Sequence, residues 1–121
     1  MPSYTFRSCV NLSEINEYLV DASYIGVSAF ENCEKVTSVY ASLCSYIYSY
    51  AFWRCYALSR GSFPKCNRIS SSTFYNCSAL STLILASTSI CTLESSNAFS
   101  YTPIYSKKGY IYVPASLVSK Y

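Results

Sequence analysis

The phrase Phe-x-x-Cys occurs four times, at Phe6–Cys9, Phe30–Cys33, Phe52–Cys55 and Phe74–Cys77, with equal intervals after a slightly longer first one. Three residues after each Cys stands an aliphatic side chain, Leu12, Val36, Leu58 or Leu80. Three further on come Ile15, Val39, Gly61 and Leu83. Ile25, Ile47 and Ile69 precede their Phe by five residues, and Thr5, Ala29, Ala51 and Thr73 put a small side chain just before it. A degraded fifth copy survives in Leu93 and Ala98-Phe99. Repetition at so short a period restricts the chain to architectures in which each unit buries its apolar side against its neighbours.

A finer rhythm divides each unit in two, because Cys33, Cys44, Cys55, Cys66 and Cys77 are evenly spaced at half the interval between successive Phe residues. Helical repeats of that length, ~11 residues, are rich in Ala, Glu, Lys and Leu. Here the halves are rich in Ser, Tyr and β-branched residues, with Pro64 inside, which favours extended segments joined by turns. The segments LSEIN, VTSVY, LSRGS and LSTLI are each predicted to make a short strand, stacked in parallel with the aliphatic positions inward. Val36–Ala41, Leu58–Phe63 and Leu80–Leu85 are then neighbours. YIGVSAF, YIYSYAF and RISSSTF form the opposite wall, as strand or tight turn, and the Phe residues stack as a buried column with Phe52 touching Phe30 and Phe74. Each coil rises about 4.8 Å, so four coils make a core only ~20 Å long with open ends.

The repeated phrase, quoted in full as YIGVSAFENCEKVTSVYASLC and YIYSYAFWRCYALSRGSFPKC, resembles the BspA-like class of leucine-rich repeats, whose units read approximately IgxxAFxxCxxLxxIxLP. The resemblance spans about residues 2 to 99. It implies a mainly β leucine-rich-repeat solenoid, common in surface or secreted proteins of gut and oral bacteria and some protists, used for adhesion and partner binding. No enzymatic activity is implied. The tail SYTPIYSKKGYIYVPASLVSKY resembles the segment that ends such arrays: a strand over Tyr110–Val113, a break at Pro114, then a short helix or turn over Ala115–Tyr121. The expected organisation is therefore an array over residues 1–99, starting in mid-repeat as in a fragment of a longer protein, and a cap over 100–121.

Several positions depart from the pattern. The family's glycine, four before Phe, is present as Gly26 but is replaced by Tyr48, Ser70 and Pro2, and the proline after the strand survives only as Pro64. Gly61 stands where other copies carry an aliphatic. Glu17 occupies the inward position filled by Phe63 and Leu85, where an unpaired carboxylate would cost several kcal/mol to bury. The first interval is two residues longer than the next two, and the surplus lies between Ile15 and Ile25. A bulge there is predicted to turn Glu17 outward and bring Leu19 or Val20 inward.

Composition narrows the chemistry. The chain has no histidine, which removes His-based nucleophile pairs and His-containing zinc sites, and its six carboxylates include one local cluster, Glu14, Glu17 and Asp21, with no pocket implied around it. None of the seven cysteines forms a Cys-x-x-Cys pair. One per half-coil, they read as buried core thiols, with cross-coil disulfides as the alternative. No catalytic residue, metal site or cofactor is expected. The longest apolar run, Leu83–Ala86, is too short for a bilayer span, and the first residues lack a signal peptide's pattern. Residues 1–34 carry five acids and one Arg, whereas residues 35–121 carry eight bases and Glu94. The bases are scattered singly apart from Lys107-Lys108, so nucleic acid is not an expected partner.

What remains exposed on a stacked sheet is an array: Glu14, Ser38, Arg60 and Thr82 in one row, with Asn16, Tyr40, Ser62 and Ile84 in the next. This face is the candidate binding surface, with Tyr40 and Arg60 as anchor types. The expected function is a non-enzymatic interaction or adhesion module for a protein or host-surface ligand; the alternative is a structural spacer or fragment of a longer solenoid. End-to-end contact with further repeats or another copy fits the open ends. Localisation follows the parent: cell surface or secreted within a longer protein, cytoplasmic if the chain is complete.

Overall fold

The computed structural model describes residues 1–120, with side chains to Val118, and Tyr121 of the expected terminal helix lies outside the described residues. The chain winds as a parallel β-solenoid with coils of about 22 residues. One wall is the sheet of β1 (Tyr24–Ile25), β3 (Tyr46–Ile47), β5 (Arg68–Ile69) and β7 (Thr92–Leu93). The other is made of β2 (Ser38–Tyr40), β4 (Arg60–Ser62), β6 (Thr82–Ile84) and β8 (Tyr110–Tyr112). Every pairing is parallel, and Val39, Gly61 and Leu83 lie in one register row, as the constant period requires.

The LSEIN segment is not a strand. Instead Asn16–Leu19 forms a single 3-10 turn, and the fourth strand of this wall comes from the other end of the chain, where Thr82 pairs with Tyr110 and Leu83 with Ile111. The two-residue surplus explains the difference, since an in-register strand cannot absorb it and a tight helical turn can. The consequence foreseen for Glu17 holds: it is exposed and Leu19 is fully buried, while Val20 faces solvent. The device is a 3-10 turn, not a bulge. It also protects the sheet edge, because Asn16 Oδ1 accepts the Tyr40 amide at 2.9 Å where a preceding strand would have supplied a carbonyl.

On the β1-β3-β5-β7 side each short strand runs into a corner built around the Phe. Two non-glycine residues adopt a left-handed backbone in each of the first four corners: Tyr4, Ser28, Tyr50 and Ser72 two before the Phe, and Ser8, Asn32, Arg54 and Asn76 two after it, all with φ between 54° and 60°. The corner at Phe99 keeps only Tyr101, because Asn97 lies in the 3-10 turn Ser96–Phe99. Such conformations cost roughly 1–2 kcal/mol for most L-residues, least for Asn. They recur because the corner aims alternate amides along the stack: Ser28, Phe30 and Asn32 donate to the carbonyls of Ser49, Ala51 and Trp53 at 3.0, 2.8 and 2.8 Å. Inside the corner the Phe rings form a column, Phe6, Phe30, Phe52, Phe74 and Phe99. Centroids are 5.4–5.5 Å apart and interplanar angles 12° or less. Tyr18, delivered by the 3-10 turn, covers the near end of the column at 4.7 Å from Phe6.

The anomaly at Gly61 is resolved by volume exchange. Successive coils place Val39 with Ala41, Gly61 with Phe63, and Leu83 with Leu85 on the inner face, all buried. The Phe63 ring fills the space that Gly61 vacates: an added Cβ would lie 2.9 Å from Phe63 Cε2 and 3.2 Å from Leu83 Cδ1. Gly61→Val should therefore destabilise the fold by about 1–3 kcal/mol through overpacking. Adding Phe63→Ala, which recreates the Val39/Ala41 pairing, should recover part of the loss caused by Gly61→Val. A double-mutant cycle from urea denaturation checks this, and strictly additive losses would contradict the exchange.

Candidate functional site

The outer face of the β2-β4-β6-β8 sheet carries most of the surface read from the sequence. Ser38, Arg60 and Thr82 stand in one register row and Tyr40, Ser62 and Ile84 in the next, with Tyr40 half exposed. Glu14 and Asn16 do not join them as strand residues: Glu14 is exposed on the segment before the 3-10 turn, and Asn16 has its Oδ1 occupied by the Tyr40 amide. The sheet adds two residues that the repeat did not flag. Tyr110 extends the first row and Tyr112 the second; they are 68% and 55% exposed, with rings 6.3 Å apart. The signal was present in the alternation Tyr110-Ile111-Tyr112, the same outward-inward-outward pattern as Ser38-Val39-Tyr40. It was disguised because Tyr110 follows Thr82 at a longer interval than Thr82 follows Arg60.

The opposite wall bears an outward cluster that the sequence did not single out. Tyr46 stacks on Tyr48 at 4.0 Å and Tyr24 meets Tyr48 edge-on at 5.9 Å. The Arg68 guanidinium lies 5.1 Å from the Tyr46 ring and its Nε is 2.7 Å from Glu94 Oε1, the atom to which Tyr46 donates its hydroxyl at 3.0 Å. Ser70 completes the set by donating to the Tyr46 oxygen at 3.1 Å. This network joins three successive coils. The hydroxyls of Ser70 and Tyr46, and the Arg68 charge, hold the Glu94 carboxyl below its ordinary range. At the corner, Arg7 pairs with buried Glu31 at 3.2 Å, and Arg54 lies over Trp53 at 4.3 Å. The carboxylates Glu14, Glu17 and Asp21 are all exposed.

The family model for the BspA type leucine rich repeat region matches residues 1–116, in six copies. The chain belongs to the BspA-type leucine-rich-repeat family. Leucine-rich repeats of this kind are, in general, protein-interaction modules. No curated protein and no solved structure matches the chain. The BspA-type match runs past Phe99 into the tail, in keeping with β8 lying in the same sheet as β2, β4 and β6. Among the described residues no helix is long and apolar enough to cross a membrane.

In this BspA-type array Glu94 ties the last coil to the two before it, and its effect on stability has a defined pH sense. A carboxyl whose folded pKa is depressed contributes stability above its unfolded value, near 4.5, and loses it as pH falls through the lower folded value. Wild type should therefore exceed Glu94→Gln in thermal stability at pH 6–7, and the gap should close as pH falls below about 4.5. Paired melting curves across this range check the assignment. A gap that widens on acidification would contradict it.

Proposed function

We propose that this chain is a non-enzymatic protein-interaction module that binds through the outer face of β2, β4, β6 and β8, within a cell-surface or secreted parent protein. The observation that carries the reading is the in-register array on that face: hydroxyls from Ser38, Ser62 and Thr82, one guanidinium from Arg60, and exposed Tyr40, Tyr110 and Tyr112. Tyr and Arg are the residue types that most often anchor a protein contact, and Tyr offers large contact area at low conformational cost. Strands held by main-chain bonds make the array rigid, so binding does not have to order it. The segment over residues 100–121 serves, in this reading, as the closing cap and also contributes Tyr110 and Tyr112.

A second reading, the structural spacer, draws support from the far end of the solenoid. There Leu93, Ile111, Tyr112, Val113 and Val118 line an apolar hollow suited to further repeats or another copy. The two readings separate by experiment. A panel of purified extracellular and cell-surface proteins, presented by surface plasmon resonance, should yield at least one partner. Tyr40→Ser, Arg60→Ser and Tyr112→Ser together should weaken binding at least about tenfold, as expected when anchors are removed. Tyr24→Ser with Tyr48→Ser, on the opposite wall, should leave affinity unchanged. Absence of any partner would favour the spacer, and equal affinity after the triple change would contradict binding through this face.

A further inference from the structure

The last coil breaks the cysteine rhythm. Cys44 and Cys66 stand three residues before Ile47 and Ile69, whereas Cys91 stands two before Leu93. Arg68 pairs with Thr92 and Ile69 with Leu93, and the Thr92 amide donates to the Asn67 carbonyl at 2.8 Å. Cys91 is thus level with Asn67, one residue out of step with Cys66. In the regular coils, thiols in step turn to the backbone: Cys44 and Cys66 donate to the carbonyls of Tyr46 and Arg68 at 3.5 and 3.4 Å, and in the other column Cys33, Cys55 and Cys77 donate to those of Phe6, Phe30 and Phe52 at 3.1, 3.1 and 2.9 Å. The offset in the last coil brings two sulfurs together on a diagonal, with Cys91 Sγ 3.9 Å from Cys66 Sγ. Roughly 2 Å of approach separates that contact from an S–S bond.

We propose that Cys66 and Cys91 form a disulfide that staples the last coil to its neighbour when the chain meets a small-molecule disulfide of the glutathione class. Both sulfurs are buried, but Cys91 directly follows the exposed residues Thr88, Ser89 and Ile90, so opening of that loop exposes the pair. The hydrogen bond from Cys91 lowers the Cys66 thiol pKa and raises that of Cys91, which marks Cys66 as the first nucleophile. Cys66 thiolate attacks one sulfur of oxidised glutathione. The glutathione S–S bond breaks, and the departing thiolate takes up the proton that Cys66 released. Cys91, deprotonated by solvent base in the opened loop, then attacks the Cys66 sulfur of the mixed disulfide and expels the second glutathione, which is protonated in turn. Two protein thiols are oxidised by two electrons and one glutathione disulfide is reduced to two thiols.

The staple would close a loop that contains β5 and the whole corner around Phe74, and would hold β7 in place. The test does not depend on the binding proposal. The native chain is incubated with oxidised glutathione, then denatured, alkylated and digested with trypsin. Five of the seven cysteines should be alkylated, and the tryptic peptide Cys66–Arg68 should be joined through Cys91 to the peptide Ile69–Lys107, whose Cys77 should carry the alkyl group in the fragment spectrum. Limited proteolysis of the native oxidised chain should be slower within residues 86–90 than in the reduced chain, and dithiothreitol should restore the faster rate. Cys91→Ser should abolish both the joined peptide and the protection. Seven alkylated cysteines, glutathione adducts without a cross-link, or a link between other cysteines would overturn the proposal.

Discussion

The column of Phe rings at the corner is the contact on which the rest of the solenoid depends. Each ring of Phe30, Phe52 and Phe74 is sealed between two others, and each of these residues also donates its amide to the next coil at 2.8–2.9 Å. Ring and amide fix the same thing by different means: the rise from one coil to the next. Stacking adds about 0.5–1.5 kcal/mol per aromatic pair beyond the area buried. The amides remove the donors that a turn would otherwise leave without protein partners. Two left-handed residues at each of the first four corners are the strained feature that makes this arrangement possible, and they recur in register with the rings from Phe6 to Phe74.

Because the period is set at the corner and inside the walls, the outward positions are free to vary, and function can be written there without disturbing the fold. The two walls use that freedom differently. On the β1-β3-β5-β7 wall, Tyr46, Arg68, Ser70 and Glu94 satisfy one another across three coils and act as a brace. Across the solenoid, Tyr40, Tyr110 and Tyr112 stand exposed beside Arg60 and a set of hydroxyls. A braced wall opposite an open one is the asymmetry that supports reading the second wall as the interaction surface.

Much of this fold was legible in the sequence, because the repeat specifies which residues face inward and the parallel register follows from its constant length. Phe52, Val39 and Leu83 fell where the spacing put them. What was not legible lay where the spacing changes. Two surplus residues before Ile25 convert an expected strand into a 3-10 turn, and the longer interval before Tyr110 hid that the strand expected there is the fourth of the candidate face. Gly61 read as a defect because its compensation, Phe63, lies two residues away on the same inner face, and only packing reveals the exchange. The brace at Glu94 was hidden for another reason: its partners come from three coils, and single charges scattered along a chain give no sign of meeting.

The claim that ring and amide jointly set the rise can be read residue by residue through native-state hydrogen exchange. The amides of Phe30 and Phe52 lie in turns, yet they should exchange as slowly as the strand amide of Gly61, all three opening only with global unfolding. Exchange of the Phe30 and Phe52 amides at the rapid rates of solvent-exposed turns, with Gly61 still protected, would contradict the account.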